Sequence, residues 1–156
     1  MFIRPKIRND KQGQGHFGAP RRNSKGPYEH QGIDYEADAG CDVFSHCSGV
    51  VTKIGRPYYF SKPKNAKQRK QNDLRYVQIT DDYESVNHRF FYVEPSVGIG
   101  DPISKGDKIG TAQNLEDIYK NMDNHVHYEA KDKAGNVLDP NEFLIWLELR
   151  FIYAYS

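Results

Sequence analysis

A mainly β fold, with an antiparallel sheet folded on itself as a sandwich or open barrel, is predicted for this chain by three observations. Short segments such as Gly49–Ile54, Leu74–Thr80 and Arg89–Val93 alternate apolar and polar side chains, the period of a half-buried strand. Glycines at 40, 49, 55, 98, 100, 106, 110 and 135 punctuate them as turns do. Eleven Tyr and eight Phe suit a β-rich core with binding surfaces.

Taken in order, residues 1–14 are polar and contain glycine, which predicts an arm that orders only against a partner. Residues 15–149 are expected to form one domain, and a chain of 156 residues can bury roughly 68–70% of its unfolded surface. Gly40, Val43, Gly49, Ile54 and Gly55 are echoed in order by Gly100, Ile103, Gly106, Ile109 and Gly110, as two turn-rich crossings of similar kind. Between two predicted strands, the basic stretch 61–71 reads as a solvated hairpin insertion at the rim of a cleft. No aromatic residue interleaves its charges, which argues against single-strand nucleic acid as its ligand.

Asn114–Met122 predicts a short helix walling that cleft, with Asn114 as N-cap and Leu115, Ile118, Tyr119 and Met122 on one face. A C-terminal helix is predicted from Asp139 as N-cap, Pro140 at the first helical position and Glu142 three after the cap. Phe143, Leu144, Leu147 and Phe151 then recur at helical spacing, a stripe expected to pack on the core. The aromatic tail 150–156 is expected to fold back or to dock on a neighbouring subunit.

A net charge of +1 gives no overall field toward nucleic acid. The first residues lack the 7–15-residue apolar stretch of a secretory signal, and no run approaches the ~18 apolar residues of a membrane span. The expectation is cytoplasmic synthesis. Cys41 and Cys47 show no Cys-x-x-Cys pattern and read as two small buried side chains rather than a disulfide or metal site.

The chemistry lies in two separated motifs, His30-Gln31-Gly32-Ile33-Asp34 and His125-Val126-His127. Residues two apart on a strand share a face, so His125 and His127 look into one cleft where His30 and Asp34 can converge. Neutral imidazole and carboxylate ligands with one position left for water are what a catalytic zinc requires, although the same donors accept other divalent first-row ions.

With Arg89–Pro95, Val97–Gly110 and Ala39–Gly55 added, the chain from about residue 15 to 144 resembles family M23. These are the lysostaphin and LytM type zinc metallopeptidases that cut peptide cross-links of peptidoglycan. The resemblance implies that His30, Asp34 and His127 hold Zn²⁺ and that His125 is a catalytic histidine beside it. It implies a second catalytic histidine in a Tyr-x-His-Leu stretch, where Tyr92-Val93-Glu94-Pro95 sets Glu94 in its place. A carboxylate there would repel a forming oxyanion, and the missing donor is worth ~2.7–4 kcal/mol. Glu94 could instead act as a general base or, protonated by burial, as a donor. His88 is no substitute, since six strand residues separate it by ~20 Å from position 94.

The same stretch resembles the leukocyte cell-derived chemotaxin 2 branch of the fold, which keeps the zinc ligands and lacks one histidine. Two functions follow from the resemblance: a peptidoglycan endopeptidase weakened at Glu94, or a zinc-bearing structural or binding protein. In either case a bacteriophage tail would bring the domain to the wall, with the arm and tail contacting neighbouring virion subunits.

Overall fold

The computed structural model describes residues 5–144. Two small hairpins come first: β1 (Asn9–Asp10) with β2 (Gly13–Gln14), and β3 (Pro20–Asn23) with β4 (Gly26–Glu29). The body contains β5 (Ile33–Glu36), β6 (Asp42–Phe44), β7 (Gly49–Gly55), α1 (Ala66–Asn72), β8 (Tyr76–Asp81), β9 (Asn87–Phe91) and β10 (Val93–Pro95). It continues with β11 (Pro102–Ile103), β12 (Lys108–Ala112), β13 (His125–Lys131) and β14 (Val137–Leu138).

A seven-stranded antiparallel sheet runs β11-β7-β8-β9-β13-β14, with β5 on the same edge of β13 as β14. A three-stranded sheet, β10-β12-β6, packs on it. The architecture is the open sandwich predicted, and neither sheet closes into a barrel. The two glycine-rich crossings pair with each other, β6 on β12 and β7 on β11, which gives the sequence echo a physical meaning.

Alternation decides what is buried. On β13, Val126, Tyr128 and Ala130 are fully buried, and they pack with Val51, Val77, Ile79, Phe90, Val93 and Ile109 in the core. His125, His127, Glu129 and Lys131 take the opposite face. His46 and His88 are buried in the core; the His46 ring lies 4.6 Å from that of Tyr128, and His88 Nδ1 lies 2.7 Å from the Tyr128 hydroxyl. Cys41 and Cys47 carry free thiols; Cys47 is buried among the core side chains as expected, whereas Cys41 is only half-buried at the edge of the core.

Three local predictions are corrected. From the middle of the predicted insertion 61–71 to Asn72 the structure has α1, the only α-helix among the described residues. Asn65 caps it by accepting from Gln68 N–H, while Gln68 Oε1 accepts from Lys64 N–H, and Arg69 and Lys70 complement the dipole at its end. Asn114–Met122 makes only turns: Asn114 does accept from Glu116 N–H, but Leu115 N–H is taken by Asn124 Oδ1 at 2.6 Å, and Asn121 has φ 59°. The arm is likewise part of the fold where it is described, because Glu36 N–H donates to Lys6 O and Arg8 N–H donates to Asp34 O along the edge of β5.

The start signal at Asp139 is used, with its side chain accepting from Asn141 N–H, but it opens a 3-10 turn, Pro140–Glu142. The rest of the predicted C-terminal helix and the tail 150–156 lie outside the described residues.

Candidate metal centre

β5 and β13 bring the two motifs together. Their antiparallel register sets His127 opposite Asp34, and directly opposed residues are near neighbours across a ladder. Ile33 and Tyr35 turn into the core, leaving Asp34 on the face that carries His127. His30 precedes β5 and folds over the pair. Gly32 permits this approach, since a Cβ there would meet the Tyr128 carbonyl at 2.6 Å and the His127 ring at 2.7 Å.

One ligand atom from each of His30, Asp34 and His127 lies within 4.8 Å of the others, as the motif reading requires. His127 Nδ1 is 2.9 Å from Asp34 Oδ1 and 3.1 Å from His30 Nε2, and His30 Nε2 is 3.3 Å from Asp34 Oδ1. His125 stands beside them with Nε2 3.8 Å from Asp34 Oδ1.

The contacts behind these atoms fix which ones face inward. His30 Nδ1 donates to His16 O at 3.0 Å and His125 Nδ1 to Asp123 O at 2.9 Å, so both rings turn Nε2 toward the cluster. His127 Nε2 faces the buried carboxylate of Glu129 at 3.5 Å, which turns Nδ1 toward the cluster. Asp34 Oδ2 accepts from Arg8 at 3.1 and 3.3 Å and from Arg21 at 3.4 Å, and Oδ1 alone faces the histidines. Arg8 is itself buried and also paired to Asp10 at 2.8 Å.

Burial would raise the Asp34 carboxyl, but hydrogen bonds from His127 and His30 overcome it and hold it far below the usual carboxylate range. Burial likewise opposes the charged form of His127, yet Asp34 and Glu129 together raise it to about 9. Burial lowers His125, with Asp34 partly offsetting, so this imidazole is neutral near pH 7. Two imidazoles and one carboxylate form a donor set of the kind that divalent first-row cations accept.

A cleft of about 340 Å³ opens over the cluster, lined also by Gln12, Tyr28, Tyr58, Tyr92, Tyr119 and Met122. Glu94 is not among the lining side chains. It is exposed on β10, pairs with Thr111, and its Oε2 is 3.4 Å from Gln113 Nε2. The side chain that reaches the cleft from this stretch is Tyr92. Its φ of 69° breaks the run between β9 and β10, and its ring stands perpendicular to that of His125 at 5.5 Å. Burial, then the Tyr58 phenol, pushes the Tyr92 hydroxyl well above its ordinary value, so it stays protonated.

Sequence reasoning missed Arg8, Arg21, Glu129, Tyr58 and Tyr92. Glu129 was within reach, because it continues the alternation of His125 and His127 on β13.

An open antiparallel sandwich with a His, Asp, His cluster on a cleft defines a β domain with a candidate metal site. Residues 28–140 match Peptidase family M23, and the chain belongs to that family. Bovine leukocyte cell-derived chemotaxin-2 is 30% identical over 135 residues, covering 86% of this chain and 76% of that protein. Myeloid protein 1 of Gallus gallus is 29% identical over 129 residues; the match takes in 80% of this chain and spans about a third of that protein's length, 34%. Among solved structures, LytU superposes with a TM-score of 0.64 at 20% identity, covering 92% of this chain and 87% of that one.

Proposed function

We propose that this chain is a zinc-dependent M23-type endopeptidase domain directed at the peptide cross-links of peptidoglycan. The observation that carries the reading is the convergence of His30, Asp34 and His127 within 4.8 Å at the floor of an open cleft with His125 beside them. Family membership supports it.

In this reading His30 Nε2, Asp34 Oδ1 and His127 Nδ1 hold the ion. Zinc supplies Lewis-acid polarisation of the scissile carbonyl and lowers the pKa of water. The chain's own groups do the rest. Arg8 and Arg21 hold Asp34 so that one oxygen is presented, and Glu129 orients His127. His125, its Nδ1–H tied to Asp123 O, offers Nε2 to accept a proton in the cleft and pass it to the leaving amine.

The missing second histidine is better placed at Tyr92, two residues before Glu94. Phe90-Phe91-Tyr92-Val93 supplies an aromatic residue, a spacer, a ring and an aliphatic residue in the order of Tyr-x-His-Leu, and Tyr92 is the one that lines the cleft. Glu94 then needs no catalytic role.

A second reading, a zinc-bearing binding protein that does not cut, is favoured by Tyr92 in that position and by the similarity to leukocyte cell-derived chemotaxin-2. Turbidity of bacterial walls separates the two. Zinc-dependent clearing that is lost in His125→Ala supports the endopeptidase. Zinc retention with no clearing supports the binding protein. Carriage on a bacteriophage tail belongs to both readings, and its test is whether purified virions contain the chain.

A further inference from the structure

We propose that Asp10, at the end of β1, is a positioning residue for both the metal ligand Asp34 and the proton acceptor His125, reaching the first through Arg8 and the second through the backbone of Asp123. The inference rests on the endopeptidase reading, for which it names the group that ties ligand and proton acceptor together.

Both oxygens of the Asp10 carboxylate are engaged. Oδ1 accepts from Arg8 Nη1 at 2.8 Å and from Gln12 N–H at 2.8 Å, while Oδ2 accepts from Asp123 N–H at 2.8 Å, 113 positions away in sequence. The Asp10 side chain is 8% exposed and that of Arg8 3%, so water does not readily replace either partner. Burial would raise the Asp10 carboxyl, but the Asp123 amide and Arg8 hold it below the ordinary carboxylate range, and it is ionised.

On one side, Arg8 divides its guanidinium between two acids. Nη1 goes to Asp10, and Nε and Nη2 reach Asp34 Oδ2 at 3.3 and 3.1 Å. Asp10 therefore fixes the plane of the fork and offsets a buried positive charge that would otherwise draw on Asp34 and oppose a cation beside it. On the other side, Asp123 is held at its N–H by Asp10, and its carbonyl accepts from His125 Nδ1 at 2.9 Å. Residues 120–123 belong to no strand or helix. Among the described residues their backbone hydrogen bonds run to the hairpin, through Asp10 and through Gln12 Nε2 to Lys120 O at 2.6 Å, and to His125. The carbonyl that sets the His125 ring is thus aimed from the hairpin. Asp34 Oδ1 and His125 Nε2 stand 3.8 Å apart, and one carboxylate backs both.

Asp10→Asn separates the two routes, because three donors converge on this group and an amide has only one oxygen to offer them. In metal-free protein labelled with ¹⁵N at histidine, the ring signals of His125 should shift in Asp10→Asn. The shift should persist when Arg8→Gln is also present, since this route runs through Asp123. Zinc affinity against a competing chelator should fall about 10-fold in Asp10→Asn, the lower end for groups standing behind a metal ligand. In the Arg8→Gln background the same change should cost far less, since this route runs through Arg8. Unmoved His125 signals overturn the first route. Equal zinc losses in the two backgrounds overturn the second, and are what a carboxylate that only pinned the hairpin would give.

The wild-type chain gives a test that no misfolded variant can blur. Coupling is reciprocal, so saturating zinc should slow hydrogen exchange at Gln12 and Asp123 N–H, the two amides that Asp10 holds, by about the same 10-fold factor. Exchange unchanged by bound zinc overturns the link to the metal. A wild type that takes up no zinc sinks the endopeptidase reading and the metal half of the proposal with it, and the His125 signals still decide the other half.

Discussion

His46 should make the fold acid-labile well before its carboxylates protonate. The ring is buried between Tyr128, Phe90 and Tyr35, with centroids at 4.6, 5.4 and 5.8 Å, and burial pushes its pKa down to about 3 from 6.5. The folded state thus binds this proton less readily than the unfolded chain. Its stabilising contribution is full above pH 6.5 and is lost as pH falls toward 3, with a slope approaching 1.4 kcal/mol per pH unit. At pH 4.5, two units below the unfolded value, His46 alone costs about 3 kcal/mol, a large part of the 5–15 kcal/mol typical of a domain. His88, also lowered by burial, adds in the same direction. His127, raised to about 9, contributes fully below 6.5 and does not alter the slope there. Urea midpoints followed by circular dichroism between pH 7 and 4.5 give the measurement, with His46→Leu as comparator. The variant should fall less steeply by about 1 kcal/mol per pH unit. Parallel curves would show that the buried imidazole does not govern the acid limb.

Three further outcomes follow from the site. Glu129→Ala frees the ring of His127 from its buried carboxylate, and zinc affinity measured against a competing chelator should drop about 10- to 100-fold. Gly32→Ala forces a methyl group against the Tyr128 carbonyl and the His127 ring, so metal content should fall while a β-rich circular dichroism spectrum persists. Glu94→Gln changes an exposed carboxylate outside the cleft; stability should stay within about 0.5 kcal/mol, and zinc affinity should not move.

The parts of this fold that were legible in sequence are those where side-chain period maps directly onto burial. The alternation of β9, the two faces of β13 and the paired His and Asp motifs needed only the two-residue repeat of a strand. α1 was not legible that way, because its partners are polar: Gln71 meets Tyr119, and Asn72 brackets Phe60 with bonds of 2.8 and 2.9 Å. The Asn65 and Gln68 capping pair was its one local signal. The Asn114 segment misled for the opposite reason. Leu115, Ile118, Tyr119 and Met122 have helical spacing, yet Asn124 binds Leu115 N–H and the carbonyls of Ala37 and Gln113, and so holds the segment in turns. Arg8 was beyond sequence reasoning, since its bond to Asp34 spans 26 positions and depends on the arm lying along β5. Glu94 was misplaced because the backbone break at Tyr92 changes which side chain faces the cleft.

Metal content of the purified chain tests the central claim most directly, with His30→Ala and Asp34→Asn prepared in parallel. One equivalent of zinc in the wild type and almost none in either variant is the expected result. An empty wild type, or zinc retained equally by all three proteins, would contradict the assignment of the cluster as a metal centre.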